Sequence, residues 1–169
     1  APGAGAGSAT IEPMAFREAL AKVPYIVALN DRLDETSLAS DVLAPTSHPF
    51  ECWSDAALPG GRAAIQQPVI QPLFETRGLL DLLLEWGAAV GDPAAAAAVA
   101  AARAAATAPP PAVSTAEPVQ STSAAWHALR AAWAARAALD PATPAFDAAW
   151  NDALRNGVWH LPAAAAAGG

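Results

Sequence analysis

The sequence predicts an incomplete α/β domain: a partial, Rossmann-like segment of parallel sheet, then a long loop, then C-terminal helices rich in alanine and tryptophan. Three observations predict it. Tyr25-Ile26-Val27-Ala28-Leu29 is a short, continuous apolar run of β-formers, the pattern of a strand buried on both faces of a parallel sheet. Asp41-Val42-Leu43-Ala44-Pro45 is a second short run, stopped by proline. Beyond residue 78, apolar residues recur at helical spacing. Two strands cannot make a stable parallel sheet alone, and their open edges need neighbours. The segment is therefore expected to complete a sheet supplied by a larger polypeptide.

Composition narrows the possibilities. The chain has 169 residues and a net charge of -7, with nine Lys plus Arg scattered along it. No basic patch exists to meet a nucleic acid. Hydrophobic residues make up 54%, but many are alanines, which bury little area each, so the core is smaller than that figure suggests. The single cysteine excludes an internal disulfide, and it cannot hold an iron–sulfur cluster or a Cys-rich zinc site within this chain. The longest apolar stretch, Ala94–Ala102, is too short to span a membrane. The chain opens Ala1-Pro2-Gly3, has its one methionine at position 14 and closes on alanines and two glycines. A piece of a longer protein is the expectation.

In chain order, residues 1–10 read as a flexible leader and residues 11–91 as the α/β segment. Pro13 to Lys22 is a helix ended by Pro24, feeding the Tyr25 strand. That strand ends on Asn30-Asp31, and open α/β sheets bind their ligands at this carboxyl end. Asp34 is placed to cap a helical turn over residues 35–40. After the second strand, Thr46 to Phe74 is an irregular loop, stiffened by Pro49, Pro59, Pro68 and Pro72 and turning at Gly60-Gly61. A loop this long is usually functional or docked. Leu79–Val90 is an amphipathic helix with Leu79, Leu80, Leu83, Trp86 and Val90 on its apolar face.

Residues 92–121 form an alanine- and proline-rich helix and linker, with Asp92 as cap, Pro93 as first helical residue and Pro109-Pro110-Pro111 as breaker. Residues 122–161 read as a helical hairpin and an extended tail. Trp126, Leu129 and Trp133 form one stripe, and Phe146, Trp150 and Leu154 form another. Asn156-Gly157 ends the second helix. Residues 162–169 are a flexible tail.

The run ALNDRLDETSLASDVLAP from Ala28 to Pro45 resembles the late α/β segment of the molybdopterin oxidoreductase family. There a strand ends in a polar-Asp pair, followed by an E-T-A-like turn and an A-D-V-V-L-P-like strand. His48-Pro49-Phe50-Glu51-Cys52-Trp53-Ser54-Asp55, Gln66-Gln67-Pro68-Val69-Ile70-Gln71-Pro72-Leu73, and Thr76-Arg77 with Asp81-Leu82-Leu83-Leu84 extend the match. This second half is most similar to the iron–sulfur, molybdopterin-like subunit of alternative complex III, a membrane-associated quinol-oxidising complex. The resemblance covers residues 14–90, and residues 122–161 more loosely.

The resemblance implies a structural segment on the periplasmic side of the bacterial inner membrane, peripheral to it. Its partners would be the remainder of the parent polypeptide and other subunits of the complex. The segment itself would hold no cofactor and no catalytic centre, while iron–sulfur clusters would lie elsewhere in the parent. If a molybdopterin cofactor is retained, Asn30, Asp31 and Thr36 would touch its nucleotide part, with Asp31 accepting hydrogen bonds from a guanine edge or a ribose. Two alternatives stay open: a segment of an active molybdenum bis-pterin oxidoreductase, and a non-catalytic interaction module built on the tryptophan helices.

Other residues invite chemistry and have plainer uses. His48, Glu51 and Asp55 are ligand types within eight positions, but they lack a spacing such as H-E-x-x-H. Glu51 is better read as tying loop amides together. Cys52 stands where active family members carry a lysine, and it reads as a small buried hydrophobe. Arg62 and Arg77 could clamp a phosphate, but are expected to pair with Glu75 or Asp81.

Overall fold

The computed structural model describes residues 13–59, 61–107 and 122–160. The expected leader over 1–10, most of the linker and the tail after 161 lie outside the described residues. The chain divides into two compact units, Ala1–Pro45 and Thr46–Gly169.

In the first unit, helix α1 (Pro13–Leu20) starts on its proline, whose missing N–H costs nothing at that position. Strands β1 (Val27–Ala28) and β2 (Val42–Leu43) pair in parallel, with Val27 opposite Val42 and Ala28 opposite Leu43. The parallel pairing is as expected from sequence, but each strand is only two residues long. The predicted burial on both faces is not observed: Ala28 is buried, whereas Tyr25 is 63% and Val42 40% exposed. Among the described residues this ribbon has two strands and no third. Asp41 fixes the register from the side, its carboxylate accepting from the Ile26 amide at 2.7 Å.

The second unit corrects the long loop. Thr46 to Phe74 is not irregular throughout. It holds a 3-10 turn at Pro49–Glu51 and an antiparallel hairpin of β3 (Ser54–Leu58) and β4 (Arg62–Gln66). The reversal uses Gly61 at φ +69°, a left-handed position that glycine tolerates. Strand β5 (Val158–His160), expected only as an extended tail, pairs with β4 and completes a three-stranded sheet in the order β3-β4-β5.

Helix α2 (Leu79–Ala89) forms as predicted, but of the expected apolar face only Leu80 packs inward, and Leu79, Leu83, Trp86 and Val90 point outward. Leu79 and Leu83 are each 48% exposed, and Trp86 is 42% exposed. The packed side carries Leu80 together with Leu84 and Ala88, which the expectation left out. The cause is visible in LLDLLL: with leucine at five of the first six positions, the period does not choose a face. Helix α3 (Pro93–Thr107) follows a sharp break, bent by 115° from α2. Asp92 caps it by accepting from the Ala95 amide at 2.6 Å. α2 and α3 meet closely, since a Cβ on Gly87 would lie 3.1 Å from that of Ala95. No single described helix is long and apolar enough to cross a membrane.

Helix α4 (Ala124–Ala137) is capped by the Ser123 hydroxyl, and α5 (Pro144–Asn156) by that of Thr143. Gly157, at φ +72°, closes α5 as its position suggests. The two predicted stripes do meet. Trp133 and Phe146 are fully buried, as is nearly all of Trp150. Trp133 lies edge-on to Trp150 at 5.5 Å between centroids, and Phe146 stacks on Trp150 at 6.0 Å. The sheet contributes Ala63 and Trp159 to this cluster, and Trp53, just before β3, joins them, so the tryptophans join helices to a sheet rather than helix to helix alone. Arg130 spans the rim, its guanidinium over Trp126, Phe146 and Trp150 at about 5 Å.

Candidate functional site

The strand-end residues singled out from sequence form a small polar turn in the first unit. Asn30 and Asp31 follow β1 directly. Asn30 Nδ2 donates to Asp34 Oδ2 at 2.6 Å and to Ser37 Oγ at 3.2 Å. Asp34 Oδ1 accepts from the Ser37 amide at 2.8 Å, starting the 3-10 turn Ser37–Ala39. This is the capping role expected of Asp34, on a shorter turn. Bonds from the Ser37 amide and hydroxyl, with that from Asn30, hold the Asp34 carboxyl below its ordinary value.

Asp31 faces a different neighbour. Its two oxygens meet Arg32 Nε at 2.9 Å and Nη2 at 3.0 Å, an exposed bidentate pair. Thr36 is exposed and its side chain makes no capping bond. It lines a hollow of about 380 Å³ with Phe16, Arg17, Leu20, Glu35, Leu38 and Ala39. Neither Asn30 nor Asp31 lines that hollow. The three residues thus share one turn but not one cavity. Asn30 organises the turn, while Asp31 and Thr36 present polar atoms to its outside.

In the second unit, the ligand-type residues near the 3-10 turn hold backbone. His48 Nδ1 accepts from the Phe50 amide at 3.2 Å, and Glu51 Oε2 accepts from the His48 amide at 3.1 Å. Together they form a capping box with histidine at the cap. Glu51 Oε1 also accepts from the Leu73 amide at 3.2 Å, so Glu51 does tie loop amides together. Asp55 turns to α4, where it accepts from Trp133 Nε1 at 2.8 Å. Among the described residues no cluster of His, Cys, Asp and Glu side chains could hold a metal ion. Cys52 is half-buried, and burial first, then the charges of Asp81 and Glu51, push its thiol above the ordinary value. It is a poor nucleophile in this setting.

The arginines pair structurally, but with other partners than expected. Arg77 is ion-paired with Glu85 one helical face along, and Arg62 Nε donates to the Pro59 carbonyl at 3.2 Å. Asp81, expected as an arginine partner, has a role that the sequence hid. From the first turn of α2 it accepts from Ser123 Oγ at 2.9 Å and from the Ala125 amide at 2.8 Å. It therefore caps α4 from a separate helix. A pocket of about 340 Å³ opens beside it, lined by Cys52, Trp53, Arg77, Glu85, Arg103 and Thr122 among others. Its charged groups are of both signs: Arg77 pairs with Glu85, and Asp81 and Glu51 accept from hydroxyl or backbone donors.

No protein-family model matches the chain. Over 81 residues it is 37% identical to the menaquinone reductase, molybdopterin-binding-like subunit of Nitratidesulfovibrio vulgaris. The matched stretch is 46% of this chain and 12% of that protein, so the chain spans only a small part of its relative's length. Over that stretch the chain is similar to a molybdopterin-binding-like subunit.

Proposed function

We propose that the chain is a structural segment of a molybdopterin-like subunit in a quinone-linked, membrane-associated electron-transfer complex. It is of the quinol-oxidising alternative complex III type and holds no catalytic centre of its own. The 37% identity to a menaquinone reductase subunit whose name is molybdopterin-binding-like carries the molybdopterin-like, quinone-linked part of this reading; the quinol-oxidising, alternative complex III part rests on the resemblance of His48–Asp55 and Gln66–Leu73 alone. The internal engagement of Asn30 with Asp34 and Ser37 supports a scaffolding use of the strand end. So does the two-stranded ribbon, which suits a sheet continued by the rest of a parent polypeptide. In this reading the parent carries any iron–sulfur clusters, the other subunits are its partners, and the assembly sits at the periplasmic side of the inner membrane.

A second reading is an active molybdenum bis-pterin enzyme. It is favoured by one observation, the outward-facing Asp31 carboxylate and Thr36 hydroxyl beside a strand's carboxyl end. There Asp31 would exchange Arg32 for the nucleotide of the cofactor, Thr36 would add a hydroxyl contact, and Asn30 would hold the turn.

The molybdenum, pterin and iron content of the purified intact parent protein separates the two. Iron without molybdenum or pterin is expected. Stoichiometric molybdenum and pterin would replace the first reading by the second, and Asp31→Asn would then lower cofactor occupancy.

A further inference from the structure

We infer that Asn156-Gly157 is a site of spontaneous deamidation guarded by the fold, and that its isoaspartyl product unseats β5 from the sheet. The chain has three asparagines, Asn30, Asn151 and Asn156. The first two precede aspartates, and Asn156 alone precedes a glycine. Glycine has no side chain to shield its backbone nitrogen, which can reach the amide carbon of the asparagine before it. The reaction needs only water. The Gly157 nitrogen, on losing its proton, bonds to Cγ of Asn156, the Cγ–Nδ2 bond breaks, and the amide leaves as ammonia with that proton. A cyclic imide results, and water opens it on either side of the nitrogen. Opening at Cγ leaves aspartate. Opening at the main-chain carbonyl leaves isoaspartate, in which the chain runs through Cβ and Cγ and gains a backbone carbon.

The fold treats the two reacting groups differently. Asn156 is exposed, at the last position of α5. The Gly157 N–H is engaged: it donates to the Ala153 carbonyl at 2.7 Å, the bond that closes the helix. That bond resists loss of the proton, and the helical backbone at Asn156 must unwind before the ring can close. Helix ends open locally more often than cores do, so opening of the last turn of α5 sets the rate. The product acts where it forms. The Gly157 carbonyl accepts from the Ile65 amide at 3.1 Å, and the next residues pair Val158 with Ala64 and Trp159 with Ala63. Trp159 packs against Trp133 and Phe146, with ring centroids 5.2 and 5.9 Å apart. An extra backbone carbon at position 156 shifts this register against the helix that anchors it. Damage at an exposed residue thus reaches the tryptophan cluster.

The test incubates the full 169-residue chain in native buffer and in urea, at the same mildly alkaline pH and temperature. Peptide mapping by mass spectrometry follows conversion of amide to acid at each asparagine. In urea Asn156 is expected to convert at least about tenfold faster than Asn30 and Asn151, because only its neighbour lacks a side chain. In native buffer the same site should slow at least about tenfold, the mark of a reaction that waits for local opening. Equal rates for the three asparagines in urea, or an undiminished rate at Asn156 in buffer, overturns the proposal. Its second half is read on refolded products. The isoaspartyl form, identified by isoaspartyl methyltransferase labelling, should melt at a lower temperature than Asn156→Asp, which carries the same charge on an unaltered backbone. Equal melting overturns the claim that the product unseats β5.

Discussion

Trp133 Nε1 donates a 2.8 Å hydrogen bond to Asp55 Oδ2 across 78 residues of sequence, joining α4 to β3. Trp133 is fully buried, so its indole N–H has no recourse to water. Asp55 also lies 3.7 Å from Arg136. Asp55→Ala leaves a buried donor unpaired, and should lower unfolding stability by about 1–3 kcal/mol. Asp55→Asn keeps an acceptor and should cost less. Urea denaturation of the two variants, compared at equal slope, checks the order. A smaller loss for alanine than for asparagine would show that the bond adds nothing to the joint.

The cap on α4 gives a second test. Asp81 holds Ser123 Oγ and the Ala125 amide, and Ser123 in turn holds the Trp126 amide at 3.3 Å. Asp81→Ala should destabilise by about 1–2 kcal/mol, the range of a lost N-cap. Ser123→Ala should cost about 1 kcal/mol, and the double variant should cost less than the sum because the two share a bond. Gly78 belongs to the same joint for reasons of space. Its φ is an ordinary -57°, yet a Cβ there would lie 2.9 Å from both Asp81 Oδ2 and the Cys52 Cβ. Gly78→Ala should therefore weaken the Asp81 cap, and Asp81→Ala should relieve part of that loss. Thermal melts of the two single variants and the double measure it.

These two joints show what sequence could and could not disclose. The tryptophan stripes were legible, because large apolar residues at a helical period on alanine-rich helices have one place to go. The caps at Asp34 and Asp92 and the end signal at Gly157 were legible for the same local reason: each acts within a few residues of itself. The hairpin over residues 54–66 was not. Alanine occupies four of its ten strand positions, so the alternation that marks a strand is missing, and β5 reaches it from 92 or more positions away. The packed face of α2 was hidden by its surplus of leucine. Asp81 could be seen as a first-turn acid, but nothing local says that it caps a different helix. At the strand end, Asn30 and Asp31 were recognised as polar residues after β1. Their division of labour, one inward to Asp34 and one outward to Arg32, depends on side-chain directions that a two-residue strand does not fix.

Cys52 supplies a test from its environment. Burial raises its thiol above the ordinary value of about 8.5, and Asp81 and Glu51 push it the same way. At pH 8 the folded chain should react with a disulfide reagent more slowly than the urea-unfolded chain, because less of the thiol is ionised. The sign for stability follows. A proton held more tightly in the folded state means that stability is full below the unfolded value and falls as pH rises past about 8.5. Cys52→Ala should abolish this alkaline fall. A folded chain that reacts as fast as the unfolded one at pH 8 would place the thiol in open water.

Asp34 works in the opposite direction at acid pH. Its carboxyl is held below the ordinary value of about 3.9, first by the Ser37 amide and then by the Ser37 hydroxyl. A depressed value means that the ionised form favours the folded turn. That contribution is complete above the unfolded value and is lost as pH falls from about 3.9 through the lower folded value. Because Asp34 also receives Asn30 Nδ2, protonation should loosen Asn30 and the 3-10 turn together. Amide and carboxyl shifts followed by NMR between about pH 6 and pH 2 should show Asn30, Asp34 and Ser37 moving in one transition, centred below the value of a free aspartate. Asp34→Asn should remove that transition, while Asn30 keeps its bond to Ser37 Oγ at every pH. Separate transitions for Asn30 and Asp34 would show that the bond between them does not hold the turn.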